Sequence, residues 1–221
     1  MLARKVRVVM ITQISVSILS LDYTDQTVIN TAVMRISNAN YLHFDVMDGK
    51  FVKQKTFDYE LVKNTHTGLL KKDVHLMIKQ PEKYVDKYIK AGADIITFHA
   101  EACKSPKKLI EKLNKKDIIV GLAISPSTDV KKIEKFLDDI DLVLVMTVKP
   151  GKAGQKLIKS ALKKIAWLKK KKPGLIVEVD GGINGKTAGE VIDAGADILV
   201  SSSYIWNSKD PKLAIDLLRN A

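Results

Sequence analysis

Cysteine is almost missing from this chain: its 221 residues include one, Cys103. A single thiol forms no intrachain bridge, so a small secreted scaffold stapled by disulfides is excluded. Long apolar runs are missing as well. The longest stretch without a charge, Val8–Leu21, carries Thr12, Gln13, Ser15, Ser17 and Ser20, whereas a membrane-spanning helix needs about 20 predominantly apolar residues. The basic opening Met1–Arg7 has no uninterrupted apolar segment or small-residue cleavage site behind it. A secretory leader is therefore not expected, and a soluble cytoplasmic protein is.

Acidic residues are in deficit, 25 against 37 lysines and arginines, for a formal charge of +12. Such a balance suits nucleic acid, an anionic small molecule or a merely solvated exterior. Aromatics are few, 6% of the chain, and the lysines (Lys107-Lys108, Lys131-Lys132, Lys163-Lys164, Lys169–Lys172) are not interleaved with them. A single-strand binding surface wants that interleaving, so nucleic acid is not the expected partner. Linkers rich in glycine, proline or serine are absent too. The expected organisation is an N-terminal extension over residues 1–9 and one domain over residues 10–221.

Hydrophobic residues make up 46% of the chain, enough for a real core. They fall into short β-branched runs alternating with longer amphipathic stretches. Strands are predicted at Ile14–Leu19, Tyr41–Val46, Asp73–Met77, Ile95–His99, Ile118–Ile124, Leu142–Thr147, Ile176–Asp180 and Ile198–Ser201. Helices are predicted over Thr24–Ser37, Pro81–Ala91, Val130–Leu137, Gln155–Lys170 and Lys186–Ala194. Pro81 suits a first helical turn, and Gly92 and Gly195 suit positions just past a helix end. The string Ala-Gly-Ala-Asp occurs at Ala91–Asp94 and again at Ala194–Asp197, each time between a helix and an apolar strand. An open doubly wound sheet would want a glycine-rich turn after its first strand, and Ile18–Asp22 has no glycine. The expected fold class is therefore α/β, a single-domain (β/α)8 TIM barrel.

Active sites of such barrels lie at the carboxyl ends of the strands. His43 and Asp45, two apart on strand two, share a face. With His75 on strand three and Asp180 on strand seven they offer two nitrogen and two oxygen donors, a set that suits one divalent ion such as Zn, Fe, Co or Mn. Taken singly, a strand histidine is commonly a hydrogen-bonded core residue and an Asp before Gly a turn. The stretch Lys149–Gln155 follows strand six and is expected to open a helix. Gly181-Gly182 follows strand seven, and Ser201–Ser203 follows strand eight. Loops of this kind bind phosphate in many barrels, although ordinary βα turns share their composition.

In order and spacing, these strings resemble the ribulose-phosphate 3-epimerase family. The resemblance rests on Ser17-Ile-Leu-Ser20, His43-Phe-Asp-Val-Met-Asp-Gly-Lys-Phe-Val52, Asp73-Val-His-Leu-Met77 with Pro81, and Phe98-His-Ala-Glu-Ala102. It continues through Val145-Met-Thr-Val148 with Pro150-Gly151 and Gln155, to Glu178-Val-Asp-Gly-Gly-Ile183. It covers nearly the whole chain and is most specific in the second and seventh strands.

The resemblance implies a metal-assisted epimerisation at C3 of a ketose phosphate, most simply D-ribulose 5-phosphate to D-xylulose 5-phosphate. Inverting a carbon beside a carbonyl takes a proton from one face and returns one to the other, which calls for two groups. The family pattern gives these roles to Asp45 and Asp180, and assigns the metal to His43, Asp45, His75 and Asp180. It puts Ser17 and His75 against the substrate, with Met47, Met77 and Met146 as an apolar wall. Gly151, Lys152, Ala153, Gly154, Gly181, Gly182, Ser202 and Ser203 fall to its phosphate. A small-molecule sugar phosphate and a homo-oligomer are the implied partners.

Departures from the pattern gather around the substrate. Val16 replaces a proline, Lys53-Gln54 a Pro-Asn, and Ser125 an asparagine. Lys149 replaces an acidic or amide residue, and Ser202 a glycine. Ser202 would be strained if that position required positive φ. Lys149 and Lys152 are expected to add charge beside the same anion. Two alternatives are carried forward, an allulose-6-phosphate 3-epimerase and a non-catalytic barrel that binds a sugar phosphate or polyanion.

Overall fold

The computed structural model describes residues 11–221, so the expected extension at residues 1–9 lies outside the described residues. Eight strands form a closed, wholly parallel barrel in chain order. They are β1 (Gln13–Ser17), β2 (Tyr41–Met47), β3 (Lys71–Met77), β4 (Ile95–His99), β5 (Ile119–Ile124), β6 (Leu142–Met146), β7 (Ile176–Asp180) and β8 (Ile198–Ser201). The ring closes where Ile14 registers with Leu199 and Val16 with Ser201.

Strand residues alternate between two surroundings. The outward set, including Ile14, Val16, Leu42, Phe44, Val74, Leu76, Ile96, Phe98, Val120, Leu122, Val143, Val145, Val177, Val179 and Leu199, is apolar and fully or nearly fully buried under the helices. The inward set is mixed. Ile95, Ala123, Leu142, Leu144 and Ile198 form a separate apolar cluster inside the ring. Ser15, His43, Asp73, His75, Thr97 and Glu178 are just as deeply buried there.

The crossovers carry α1 (Gln26–Met34), α2 (Tyr59–Asn64), α3 (Val85–Lys90), α4 (Pro106–Leu113), α5 (Leu162–Lys171) and α6 (Ala188–Asp193). Two further helices, α7 (Ser203–Trp206) and α8 (Pro211–Arg219), follow β8. Asp25 caps α1 by accepting the Thr27 N–H at 2.8 Å. Pro81 opens a 3₁₀ turn, Pro81–Lys83, that precedes α3 instead of one continuous helix. The segment Val130–Phe136 is likewise 3₁₀, not α. Its buried residues Val130, Ile133 and Phe136 recur every third position, the repeat of a three-residue turn.

The helix expected from Gln155 begins only at Lys159, as a 3₁₀ turn leading into α5. Ile158, at φ −88° and ψ 98°, is still extended. Gly92 and Gly195, at φ 82° and 108°, end their helices in the left-handed region. The repeated Ala-Gly-Ala-Asp string proves to be a latch at the bottom of the barrel. Asp94 accepts the Lys72 N–H of β3 at 2.7 Å, and Asp197 accepts the Val177 N–H of β7 at 2.7 Å.

Candidate active site

Parallel register arranges the inward side chains of β2 and β3 in tiers. His43 stands beside Asp73, Asp45 beside His75, and Met47 beside Met77. Across β6 and β7, Met146 stands beside Asp180 and Leu144 beside Glu178. The donor atoms of His43, Asp45, His75 and Asp180 all lie within 4.8 Å of one another. Asp45 Oδ1 is 3.5 Å from His43 Nε2 and 3.3 Å from His75 Nδ1, and Asp180 Oδ2 is 3.9 Å from His75 Nδ1. Three of the four are buried, while the Asp180 side chain keeps 17% exposure at the barrel mouth.

The tier below fixes these groups. His43 Nδ1 meets Asp73 Oδ2 at 2.6 Å, and Asp73 also accepts the Ser15 hydroxyl at 2.7 Å. Asp45 Oδ2 accepts the Ser17 hydroxyl at 2.7 Å. His43 Nε2 is buried without a hydrogen-bond partner. Burial disfavours charge on His43, but the carboxylates of Asp73 and Asp45 outweigh it and raise its pKa well above the usual range. The cluster thus calls for positive charge at its centre. Two imidazoles and two carboxylates converging there, one imidazole nitrogen unpartnered, fit a divalent cation.

The two carboxylates are pushed apart. Burial works to raise Asp45, yet the positive charge of His43 and the close approach of both imidazoles hold it well below the usual carboxylate range. Burial, then the negative charge of Asp45, pushes Asp180 up to about 7, against the pull of His43. Burial brings His75 down to about 4. One carboxylate held ionised beside one able to keep a proton near neutral pH is the pattern of a base paired with an acid.

A cavity of about 570 Å³ opens above this floor, a volume suited to a small ligand. Asp45, Met47, Met77, Met146 and Asp180 line its base, and Gly151, Lys152, Ala153, Gly154, Gly181, Gly182, Ser202 and Ser203 line its wall. Ser17, His43 and His75 lie beneath and do not line it; Ser17 faces Asp45. Gly182, at φ 68°, brings its backbone so near the loop after β6 that a Cβ would sit 2.5 Å from the Leu157 nitrogen. The Gln155 amide folds that loop on itself, donating to the Lys149 and Lys152 carbonyls at 2.7 and 2.8 Å.

Two departures in the wall take definite positions. Ser202 adopts φ −122°, so it carries no left-handed strain. Its hydroxyl turns to the β1 loop, donating to the Ser17 carbonyl at 2.9 Å and accepting the Ser20 N–H at 3.2 Å. Lys149 lines a neighbouring cavity, with Phe51, Lys53 and Pro126, and of the two lysines Lys152 alone borders both spaces.

The model of the ribulose-phosphate 3 epimerase family matches residues 13–206. The chain belongs to this family. A ribulose-phosphate 3-epimerase of Bacillus subtilis is 43% identical over 189 residues, covering 83% of this chain and 87% of the relative. That of Schizosaccharomyces pombe is 40% identical over 187 residues, covering 83% and 82%. A Helicobacter pylori relative of the same name is 36% identical over 213 residues, covering 94% and 97%. Among solved structures, a 3-hexulose-6-phosphate synthase superposes with a TM-score of 0.69 at 17% identity, covering 95% of this chain and 99% of that one. An orotidine 5'-phosphate decarboxylase from Pyrococcus horikoshii does so at 0.64 and 13%, covering 94% and 98%. At that identity the likeness is one of fold. The chain is thus an isomerase of the epimerase family on a TIM barrel, and no helix among the described residues is long and apolar enough to cross a membrane.

Four residues given no role by the sequence pattern stand next to the quartet. Asp73 shares the tier of His43 and Glu178 lies one tier below Asp180, and burial, then the charge of Asp73, raises the Glu178 carboxyl well above the usual range. His99 Nε2 approaches His75 Nε2 at 2.9 Å, and Glu101 Oε2 approaches His99 Nδ1 at 3.2 Å. Against burial, hydrogen bonds from His99 and Thr128 hold Glu101 down at about 2. For three of them parity was the available signal: Asp73 with His75, Glu178 with Asp180, and His99 with Thr97 share an inward face, whereas Glu101 lies beyond β4.

Proposed function

We propose that this chain interconverts D-ribulose 5-phosphate and D-xylulose 5-phosphate by proton transfer at C3 between two carboxylates, Asp45 and Asp180. One observation carries the reading: two carboxyl groups with opposite protonation preferences share the floor of one cavity. The names of the relatives support the pentulose phosphate as the substrate.

Asp45, ionised, removes the C3 proton from one face of the sugar, and Asp180, protonated, returns one to the other. In the reverse direction the roles exchange. Ser17 orients Asp45 through its hydroxyl and leaves Oδ1 toward the centre of the quartet. Asp73 holds the His43 ring by Nδ1, so that Nε2 faces Asp45.

His43, Asp45, His75 and Asp180 would hold one divalent cation, Zn, Fe, Co or Mn, which supplies positive charge to offset the negative charge that develops on the sugar oxygens. Met47, Met77 and Met146 give the reacting carbon an apolar wall, which keeps water from the proton in transit. The phosphate lies against the backbone of Gly181 and Gly182, the Gly151–Gly154 loop with Lys152, and Ser202 and Ser203. This leaves His75 as a cation ligand and not a direct contact of the substrate.

The test is incubation with ribulose 5-phosphate in D2O, followed by NMR at C3, with and without a chelator. Deuterium entering C3 as xylulose 5-phosphate appears, with both signals lost on chelation, is the expected result. Exchange and turnover that survive chelation would remove the cation from the reading. Faster turnover of allulose 6-phosphate in a parallel sample would move the substrate to the hexulose.

A further inference from the structure

The hydrogen bonds that leave the quartet through His75 continue outward in one line. His75 Nε2 and His99 Nε2 are 2.9 Å apart, the two rings stack at 5.0 Å and 26°, and His99 Nδ1 faces Glu101 Oε2 at 3.2 Å. A neutral imidazole has one N–H and one lone pair. With both rings neutral, an ionised Glu101 can only accept, so His99 carries its proton on Nδ1 and presents a lone pair at Nε2. His75 must then donate from Nε2, which leaves the lone pair of its Nδ1 directed at Asp45 Oδ1 and Asp180 Oδ2.

The far end of the line is anchored. Glu101 Oε1 accepts the Ser125 N–H at 2.9 Å and the Thr128 hydroxyl. The Lys164 ammonium clamps the same loop by donating to the carbonyls of Ser125, Pro126 and Thr128 at 2.9, 2.7 and 2.7 Å. The Phe51 ring, 4.8 Å from His99, covers the pair from the mouth of the barrel. A carboxylate tied on both oxygens does not swing away from the ring it holds.

We propose that His99 and Glu101 are positioning residues: Glu101 orients His99, and His99 fixes the tautomer and ring angle of His75 so that Nδ1 is presented to a cation in the quartet. The proposal rests on reading the quartet as a cation site. Partners of this kind commonly change metal affinity by about ten- to a hundredfold when removed. Neither residue touches the sugar in this arrangement; both act through His75.

The experiment uses the full chain, freed of metal by dialysis against a chelator, with two readouts. ¹⁵N-histidine NMR reports which His75 nitrogen carries the proton, and Co2+ titration by visible absorption reports affinity and ligand field. The parent is expected to show His75 protonated at Nε2 and to bind one Co2+ per chain. His99→Leu should mix the His75 tautomers and weaken Co2+ binding by about ten- to a hundredfold. His99→Gln, which keeps an acceptor for the Nε2 proton, should restore most of both. If His99→Leu does not fold, Glu101→Gln carries the test and should weaken Co2+ binding by about tenfold.

A parent His75 protonated at Nδ1, or variants that bind Co2+ as tightly as the parent, would overturn the proposal while leaving the cation site in place. A parent that binds no Co2+ would overturn the cation site, and the tautomer measurement alone would then decide whether His99 and Glu101 set His75.

Discussion

The inside of the barrel divides into two halves built on the same backbone. Over β5, β6 and β8 the inward residues Ala123, Leu142, Leu144 and Ile198 make a dry, apolar filling. Over β1, β2, β3 and β7 the same inward positions carry Ser15, Ser17, His43, Asp45, Asp73, His75, Glu178 and Asp180. Both halves are closely packed, and most of these residues are buried. Filling the ring therefore does not require polar groups, since one half achieves it with leucine and isoleucine. Buried carboxylates and imidazoles are costly unless each finds a partner. The polar half is specialised for chemistry and the apolar half for stability, and substitutions in the two should fail differently.

The largest expected effect is on the polar side. Asp45→Asn should lower epimerisation by about 10²–10⁴-fold, the range of a lost general base. The protein should remain folded by circular dichroism, because asparagine can still accept the Ser17 hydroxyl. A kinetically normal Asp45→Asn protein would break the division. Next comes the apolar side: Leu144→Ala, at a fully buried position, should cost about 2–5 kcal/mol in urea unfolding. Its Co2+ affinity should stay that of the parent.

The smallest effect sharpens the boundary. The folded protein raises the Glu178 pKa, so the native state holds a proton that the unfolded chain releases at lower pH. Stability from this group is complete below its unfolded pKa and is lost as pH rises through the folded one. Glu178→Gln should be nearly neutral in weak acid and should flatten the decline toward alkaline pH. Thermal unfolding across that range reads the difference, and an unchanged decline would show that Glu178 is already ionised.

The ring itself was legible in the sequence because its outward face is uniformly apolar. The predicted bounds of β4, β7 and β8 agree with those observed, β1 is shifted at both ends, and the others differ by one or two residues at one end. Helices were harder to read. The lysine and leucine spacing after Gln155 looks helical, but the Gln155 amide is engaged with the Lys149 and Lys152 carbonyls, and the chain stays extended to Ile158. His43 and Asp45 were legible through shared parity, His75 and Asp180 through their places at strand ends, and the structure brings all four together. His99 and Glu101 were not. Their link to His75 depends on a diagonal approach between β3 and β4 and on a loop after β5, neither of which leaves a trace in local pattern.

The closure of β1 on β8 has a consequence for the order in which the protein is made. A ribosome delivers β1 first and its second partner last, so β1 keeps one open pairing edge until Ile198–Ser201 emerges. For most of that interval the cluster of donors is one short, because Asp180 ends the seventh strand. Until then the first six of the eight strands hold together on apolar packing, outside the ring and within it.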